Sequence, residues 1–190
     1  TGNIYQWLRR TLQLPPAGEI ERHLKEAEAD GHGLTVLPFL AGERAPGWAG
    51  HARAAFTGIG WHTSPLDLLQ AGLEAVAYRF ALIYRLLGEV VKGDAEIIVS
   101  GGAMLNSPAW IQILCDVLGR PVIASAEMEA TSRGAALLVL EALGVVKDAG
   151  DVPPALGRRF TPRPERHERY RAAIERQRVL YERLIRSYSH

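Results

Sequence analysis

Residues 96–110, Glu-Ile-Ile-Val-Ser-Gly-Gly-Ala-Met-Leu-Asn-Ser-Pro-Ala-Trp, constrain this chain more than any other stretch. Ile97, Ile98 and Val99 form a short β-branched run, the pattern of a buried strand. Gly101 and Gly102 end it, and a residue without Cβ accepts backbone angles closed to others and lets a neighbour approach the main chain. Ser107 then offers a side-chain cap, and Pro108 suits the first position of a helix. Strand, glycine turn, short loop and helix start, in that order, present backbone N–H groups that can hold a phosphate or nucleotide. The same pattern also serves as an ordinary tight turn, so the flanking chain has to decide.

Downstream, Trp110, Ile111, Leu114, Val117 and Leu118 continue a helix that Gly119 closes. Residues 121–124 read as a second strand, and Thr131-Ser132 as the cap of a helix reaching Leu143. Upstream, Ser64-Pro65-Leu66-Asp67 combines an N-cap, a proline at the first turn and an acid at the third position. From there Leu69, Leu73, Val76, Ala77, Phe80, Tyr84 and Leu87 run at helical spacing to Gly88, with Leu68, Ala71 and Ala75 widening the apolar face. A helix this apolar must be central, with neighbours on more than one side. Helix, strand and helix in alternation, with glycine at each switch, predict an α/β layered domain.

The remaining elements are shorter. Ile4, Trp7, Leu8 and Leu12 predict a helix that Pro15-Pro16 stops, and Ile20, Leu24 and Ala27 a second one over 19–29. Residues 34–40 read as an edge strand broken by Pro38, 41–48 as a loop and 56–59 as an extended piece. Residues 145–164 read as a polar surface connection. The last helix, from Pro164, carries Tyr170, Ile174, Gln177, Tyr181, Leu184 and Tyr188 as a stripe for docking on the same domain. Its arginines alternate with Glu165, Glu168, Glu175 and Glu182, which predicts a salt-bridged face rather than an anion-binding arm.

Composition removes several function classes. The 190 residues allow one sizeable core, and 47% hydrophobic with 23% charged residues is ordinary for a soluble globular protein. A net charge of +1 gives no hold on nucleic acid or membrane by charge alone. The single Cys115 excludes an internal disulfide, fits a reducing, cytoplasmic setting, and has apolar neighbours that predict a buried, inert thiol. No apolar run reaches the roughly 18 residues that span a bilayer. Six histidines show no metal-ligand spacing, and Asp94, Asp116 and Asp148 have no surroundings that suggest a catalytic base. The P-loop, G-x-G-x-x-G and G-x-S-x-G patterns are missing. From the residues alone the reading is an α/β domain that binds a nucleotide or phosphate.

Several stretches taken together resemble one family, the FGGY carbohydrate kinases. Gly42-Glu43-Arg44-Ala45-Pro46-Gly47-Trp48, then Ala52-Arg53 and Gly58, is similar to the family's G-E-R-x-P-x-W segment. Residues 100–106, followed by Trp110, Gln112, Asp116, Gly119 and Pro121-Val122, resemble its adenosine motif and the helix after it. Glu129 to Ala136 resembles its E-x-x-x-x-G-A-A helix start, and Phe160-Thr161-Pro162 before the final helix also fits. Gly2-Asn3-Ile4-Tyr5-Gln6-Trp7-Leu8 is similar to a segment that contacts ADP in glycerol kinases. The matches run in family order, and residues 43–48 look closer to gluconate and xylulose kinases than to glycerol kinases.

The resemblance implies an actin/hexokinase-type ATPase domain (ribonuclease H-like), with helices packed on a mixed sheet. It implies that residues 1–190 are a single C-terminal nucleotide-binding domain, without its first strands and without the N-terminal sugar-binding domain. Carried over by position, Gly101 and Gly102 lie against the nucleotide, Asn106 on its adenosine side, and Gly2 and Gln6 complete the adenine pocket. Ala135 and Ala136 become helix-packing positions. The implied reaction is transfer of the γ-phosphoryl of Mg²⁺-ATP to a sugar or polyol hydroxyl. The family's catalytic aspartate, in a G-D-x motif, precedes the segment where this chain begins, so no catalytic residue is expected here and the chain alone is expected to be inactive. The chain opens without Met, which fits a piece of something longer, and its sheet edge is expected to be covered by a second copy or by preceding residues. The alternative is a non-catalytic actin-like nucleotide sensor or scaffold; an upstream G-D-x motif would support the kinase, and its absence the sensor.

Overall fold

The computed structural model describes residues 2–91 and 95–188; Asp94 and His190 lie outside the described residues, as do Thr1 and the side chain of Tyr188. Helices α1 (Gly2–Thr11) and α2 (Ala17–Glu26) lead to a small antiparallel pair, β1 (Thr35–Leu37) and β2 (Ala55–Thr57). The long helix α3 (Pro65–Gly88) follows. Then come β3 (Ile97–Val99), the single turn α4 (Gly102–Leu105), α5 (Pro108–Leu118) and β4 (Val122–Ser125). Helix α6 (Ala130–Ala142), β5 (Leu156–Phe160) and α7 (Pro164–Leu184) complete the chain, with 3₁₀ turns at Ala149–Asp151 and Arg186–Tyr188.

The three-stranded sheet is mixed, in the order β3-β4-β5, with β3 parallel and β5 antiparallel to β4. Among the described residues β3 pairs on one side only, and Ile98 on it is 42% exposed. Helix α6 is also bare: it buries no residue, and Leu138, Val139 and Leu143 are exposed.

Helix α3 is the central element that its apolar sequence requires. Its start is a complete capping box, with Asp67 N donating to Ser64 Oγ at 3.2 Å and Ser64 N donating to Asp67 Oδ2 at 2.8 Å. It packs against α1, α2, α5, α7 and β1. At Gly72 a Cβ would come within 2.9 Å of Leu8, so the missing side chain is what lets α1 lie close on α3. The buried Trp110 of α5 donates from its indole N–H to the Leu73 carbonyl at 3.1 Å, fixing α5 on the same helix. Gln177 does the same for α7, donating to the carbonyls of Val36 at 2.8 Å and Ala75 at 3.1 Å. The docking stripe of α7 is as expected at Tyr170, Gln177 and Tyr181, but Ile185 is buried in place of Leu184.

The structure corrects four local expectations. The connection at 145–164 contains strand β5, whose Leu-Gly-Arg-Arg-Phe sequence has no apolar alternation because only Phe160 faces the core. The loop between the two glycines and α5 is a helical turn, α4. Thr131 and Ser132 lie inside α6, whose N-cap is Glu129, with no side-chain cap bond. Ala135 and Ala136 are exposed and so lie outside the buried core of the described residues.

Candidate nucleotide-binding site

The candidate residues sit where β3 ends and α1 begins. Gly101 has φ +96° and ψ 135°, a backbone geometry that L side chains rarely adopt. A Cβ there would meet nothing within 4 Å, so glycine is required by conformation and not by lack of room. The chain then winds tightly: Met104 N and Leu105 N both donate to the Gly101 carbonyl at 3.1 Å, and Asn106 N to the Gly102 carbonyl at 3.0 Å. Ser107 caps α5 as the sequence predicts, its Oγ accepting from Trp110 N at 3.2 Å.

Gly101 and Asn106 are exposed and Gly102 is half-buried, so the turn faces outward. A Cβ on Gly102 would meet only the Asn106 amide nitrogen, at 3.9 Å. That amide therefore lies beside the glycine backbone, with open space in front. The second candidate segment comes to the same place. A Cβ on Gly2 would lie 3.0 Å from the Ala103 Cβ, so the start of α1 abuts α4. Gln6 lies one helical turn further along α1 and is exposed. Two segments about a hundred positions apart in sequence thus converge at one outward-facing turn. None of the five candidates ionises, so any charge at this turn arrives with the ligand or from its neighbours.

Other prominent residues serve the fold. Asp116, fully buried, accepts from Gln112 Nε2 at 2.9 Å and from Arg163 backbone N at 2.9 Å, Nε at 3.0 Å and Nη2 at 2.5 Å. Glu43 of the Gly-Glu-Arg segment is buried against Arg79 and Tyr181, so the motif's acid anchors its loop. Cys115 is fully buried, its thiol pushed up to about 12 by burial and then by the neighbouring Asp116, which makes it inert at neutral pH.

One cluster escaped the sequence reading. Glu74, with no exposed surface, accepts from Gln70 Nε2 at 2.8 Å, the Tyr170 hydroxyl at 3.0 Å, the Tyr78 hydroxyl at 3.0 Å and His32 Nε2 at 3.0 Å. Leu34 N donates to His32 Nδ1 at 3.0 Å, which fixes Nε2 as the donor. Burial, reinforced by Glu74, pushes both phenols well above their usual range, so they remain donors. Gln70, Glu74 and Tyr78 at spacings of four on the buried face of a helix were the available signal. Asp30, His32 and Glu74 have metal-ligand spacing, within 4.8 Å, yet Glu74 is saturated and Asp30 pairs with Arg176 at 2.6 Å. The cluster is a structural knot. A groove of about 1060 Å³ between α3 and α7 is lined in part by the ion pairs Arg171–Glu168 and Arg178–Glu175, and none of the five candidates faces it.

With this geometry established, known proteins bear on it. Residues 1–143 match the FGGY family of carbohydrate kinases, C-terminal domain. A glycerol kinase from Acidovorax sp. (strain JS42) is 34% identical over 168 residues, covering 85% of this chain and 34% of that protein. The crystal structure of xylulose kinase from Rhodospirillum rubrum superposes with a TM-score of 0.79 at 30% identity, covering 97% of this chain and 38% of that one. The Plasmodium falciparum glycerol kinase crystallised with ADP shares the fold, with a TM-score of 0.73 at 19% identity over 97% of this chain and 37% of that one. The chain therefore spans little more than a third of the length of these relatives. Helices on a mixed sheet are here the actin/hexokinase-type ATPase fold, in part, and the chain belongs to the FGGY family of carbohydrate kinases.

Proposed function

We propose that this chain is the nucleotide-binding side of an ATP-dependent carbohydrate kinase, with Gly101, Gly102, Asn106, Gly2 and Gln6 as its contacts to ATP or ADP. The observation that carries this is the approach of Gly2 to Ala103, which draws two sequence-distant segments to one open, backbone-lined turn. An exposed glycine backbone and a carboxamide suit a polyanion with a polar base attached, because they bind without a competing counter-charge. The larger protein would transfer the γ-phosphoryl of ATP to a hydroxyl of a sugar or polyol bound mainly by an N-terminal domain. A carboxylate beyond this chain would take the proton, and positioning would supply most of the rate. None of the five contacts is a carboxylate, the usual protein ligand of Mg²⁺, so the ion would be held mainly by phosphates and by groups elsewhere. A cytoplasmic setting fits a protein with one buried thiol. Among the described residues no helix is long and apolar enough to cross a membrane.

Calorimetry with ADP tests the site. Gly102 has an ordinary φ and open space in front, so Gly102→Val blocks the ligand's approach without straining the turn. ADP affinity is expected to fall at least about tenfold, while the melting temperature stays near that of the parent. Equal heats for the two proteins would overturn the site. Separately, the open β3 edge predicts that the 190-residue chain self-associates; light scattering that finds only monomer would contradict this.

A further inference from the structure

The start of α5 lies directly after Asn106 and is held by a residue from another element. Glu21, on α2, accepts from the Ser107 hydroxyl at 2.7 Å through Oε2 and from Ala109 N at 2.6 Å through Oε1. Both donors belong to the first turn of α5, where backbone N–H groups lack helical partners and a carboxylate is favoured. Ser107 is at the same time the cap of that helix, and its own N–H donates to the Met104 carbonyl at 3.0 Å. Asn106 N and Leu105 N close the turn onto the carbonyls of Gly102 and Gly101. A continuous path of bonds therefore runs from Glu21 through Ser107 to Asn106 and the two glycines.

The other side of the candidate pocket belongs to the same assembly. Gly2 and Gln6 lie on α1, which a five-residue connection joins to α2, and Ile20 and Leu24 of α2 are buried with α5. Glu21 thus joins the segment that carries one wall to the segment that carries the other. It also occupies the α5 N-terminus, so a ligand phosphate has to use the Gly101-Gly102 backbone instead.

We infer that Glu21 is a positioning residue of the nucleotide site, one that sets the orientation of Asn106 and the gap between the two walls without touching the ligand. This rests on the nucleotide reading above. Its physical content is that Asn106 follows the α5 start: release the two bonds and the Asn106 amide loses its fixed place beside Gly102.

The test is ADP affinity of the 190-residue chain and its Glu21→Gln variant, each in the parent and in an Asn106→Ala background. Glu21→Gln keeps size but only one acceptor oxygen, so one of the two contacts loses its acceptor, and it removes a negative charge. Loss of that charge alone would favour an anionic ligand, so a fall in affinity reports geometry. We expect a fall on the order of tenfold in the parent background and less than about twofold in the Asn106→Ala background, because the effect passes through Asn106. Ser107→Ala, which removes the Glu21–Ser107 bond together with the Trp110 N cap and leaves the Ala109 contact, is the second variant and should show a fall with the same dependence on Asn106. Unchanged affinity in Glu21→Gln, or an equal loss in both backgrounds, would overturn the inference. A parent chain that gives no heat with ADP would instead overturn the nucleotide reading, and the role of Glu21 with it.

Discussion

Glu74→Leu is expected to destabilise the fold by about 4 kcal/mol, a large share of the total stability of a domain. Glu74 has no exposed surface and is the shared acceptor of Gln70, His32, Tyr78 and Tyr170. Leucine fills a similar volume but accepts nothing, which leaves the two phenols and the His32 ring N–H with no acceptor away from water. Gln70 suffers less, because it also donates to the Glu28 carbonyl at 2.8 Å. Each stranded buried donor costs about 1–3 kcal/mol. Thermal unfolding should show the midpoint lowered by about 10 °C for a chain of this size. Glu74→Gln should cost less, about 2 kcal/mol, since a carboxamide oxygen still accepts and a phenol can rotate to accept from the amide. His32 cannot adapt in that way, because Leu34 N holds its other nitrogen as an acceptor. A Glu74→Leu midpoint within about 2 °C of the parent would show that the knot contributes little.

The second large effect is at Asp116. Asp116→Ala should cost about 3 kcal/mol, because it removes the acceptor for three nitrogens of Arg163 and for Gln112. Arg163 is the N-cap of α7 and its side chain is 35% exposed, so water takes over part of the guanidinium's bonding and limits the loss. The Arg163 backbone N–H is the donor left stranded, and with it the anchor of α7 on α5. Cys115, adjacent and fully buried, is a local reporter of that loosening. Its reaction with a thiol reagent should quicken in the variant together with the fall in melting temperature. Parent-like thiol protection with a lowered midpoint would mean that the helix pair stays closed and that the loss lies elsewhere.

The two carboxylates illustrate which parts of this protein are legible from sequence. The Ser64-Pro65-x-Asp67 start of α3, the Ser107-Pro108 start of α5 and the Gly119 stop are local chemistry, and each forms as its residues predict. Strand β5 was not legible, because an exposed edge strand with Arg158 and Arg159 in it carries no apolar alternation. Asp116 and Glu43 were visible as members of family motifs, but the sequence does not show that both are buried and fully bonded. Glu74 is not legible as a hub, because two of its four side-chain partners come from a loop at His32 and a helix at Tyr170, 42 and 96 positions away.

For the candidate site the division is similar. The glycine turn, the asparagine and the capped helix after them are legible within fifteen residues, through backbone angle and capping chemistry that are local. The family could be recognised from motif order for the same reason: spacing along a chain survives in the sequence. The tertiary structure alone decided that Gly2 stands against Ala103 and that Glu21 bonds across to Ser107 and Ala109. Those contacts depend on how α1 and α2 pack against α3 and α5, which is set by the sum of many buried surfaces rather than by any local run of residues.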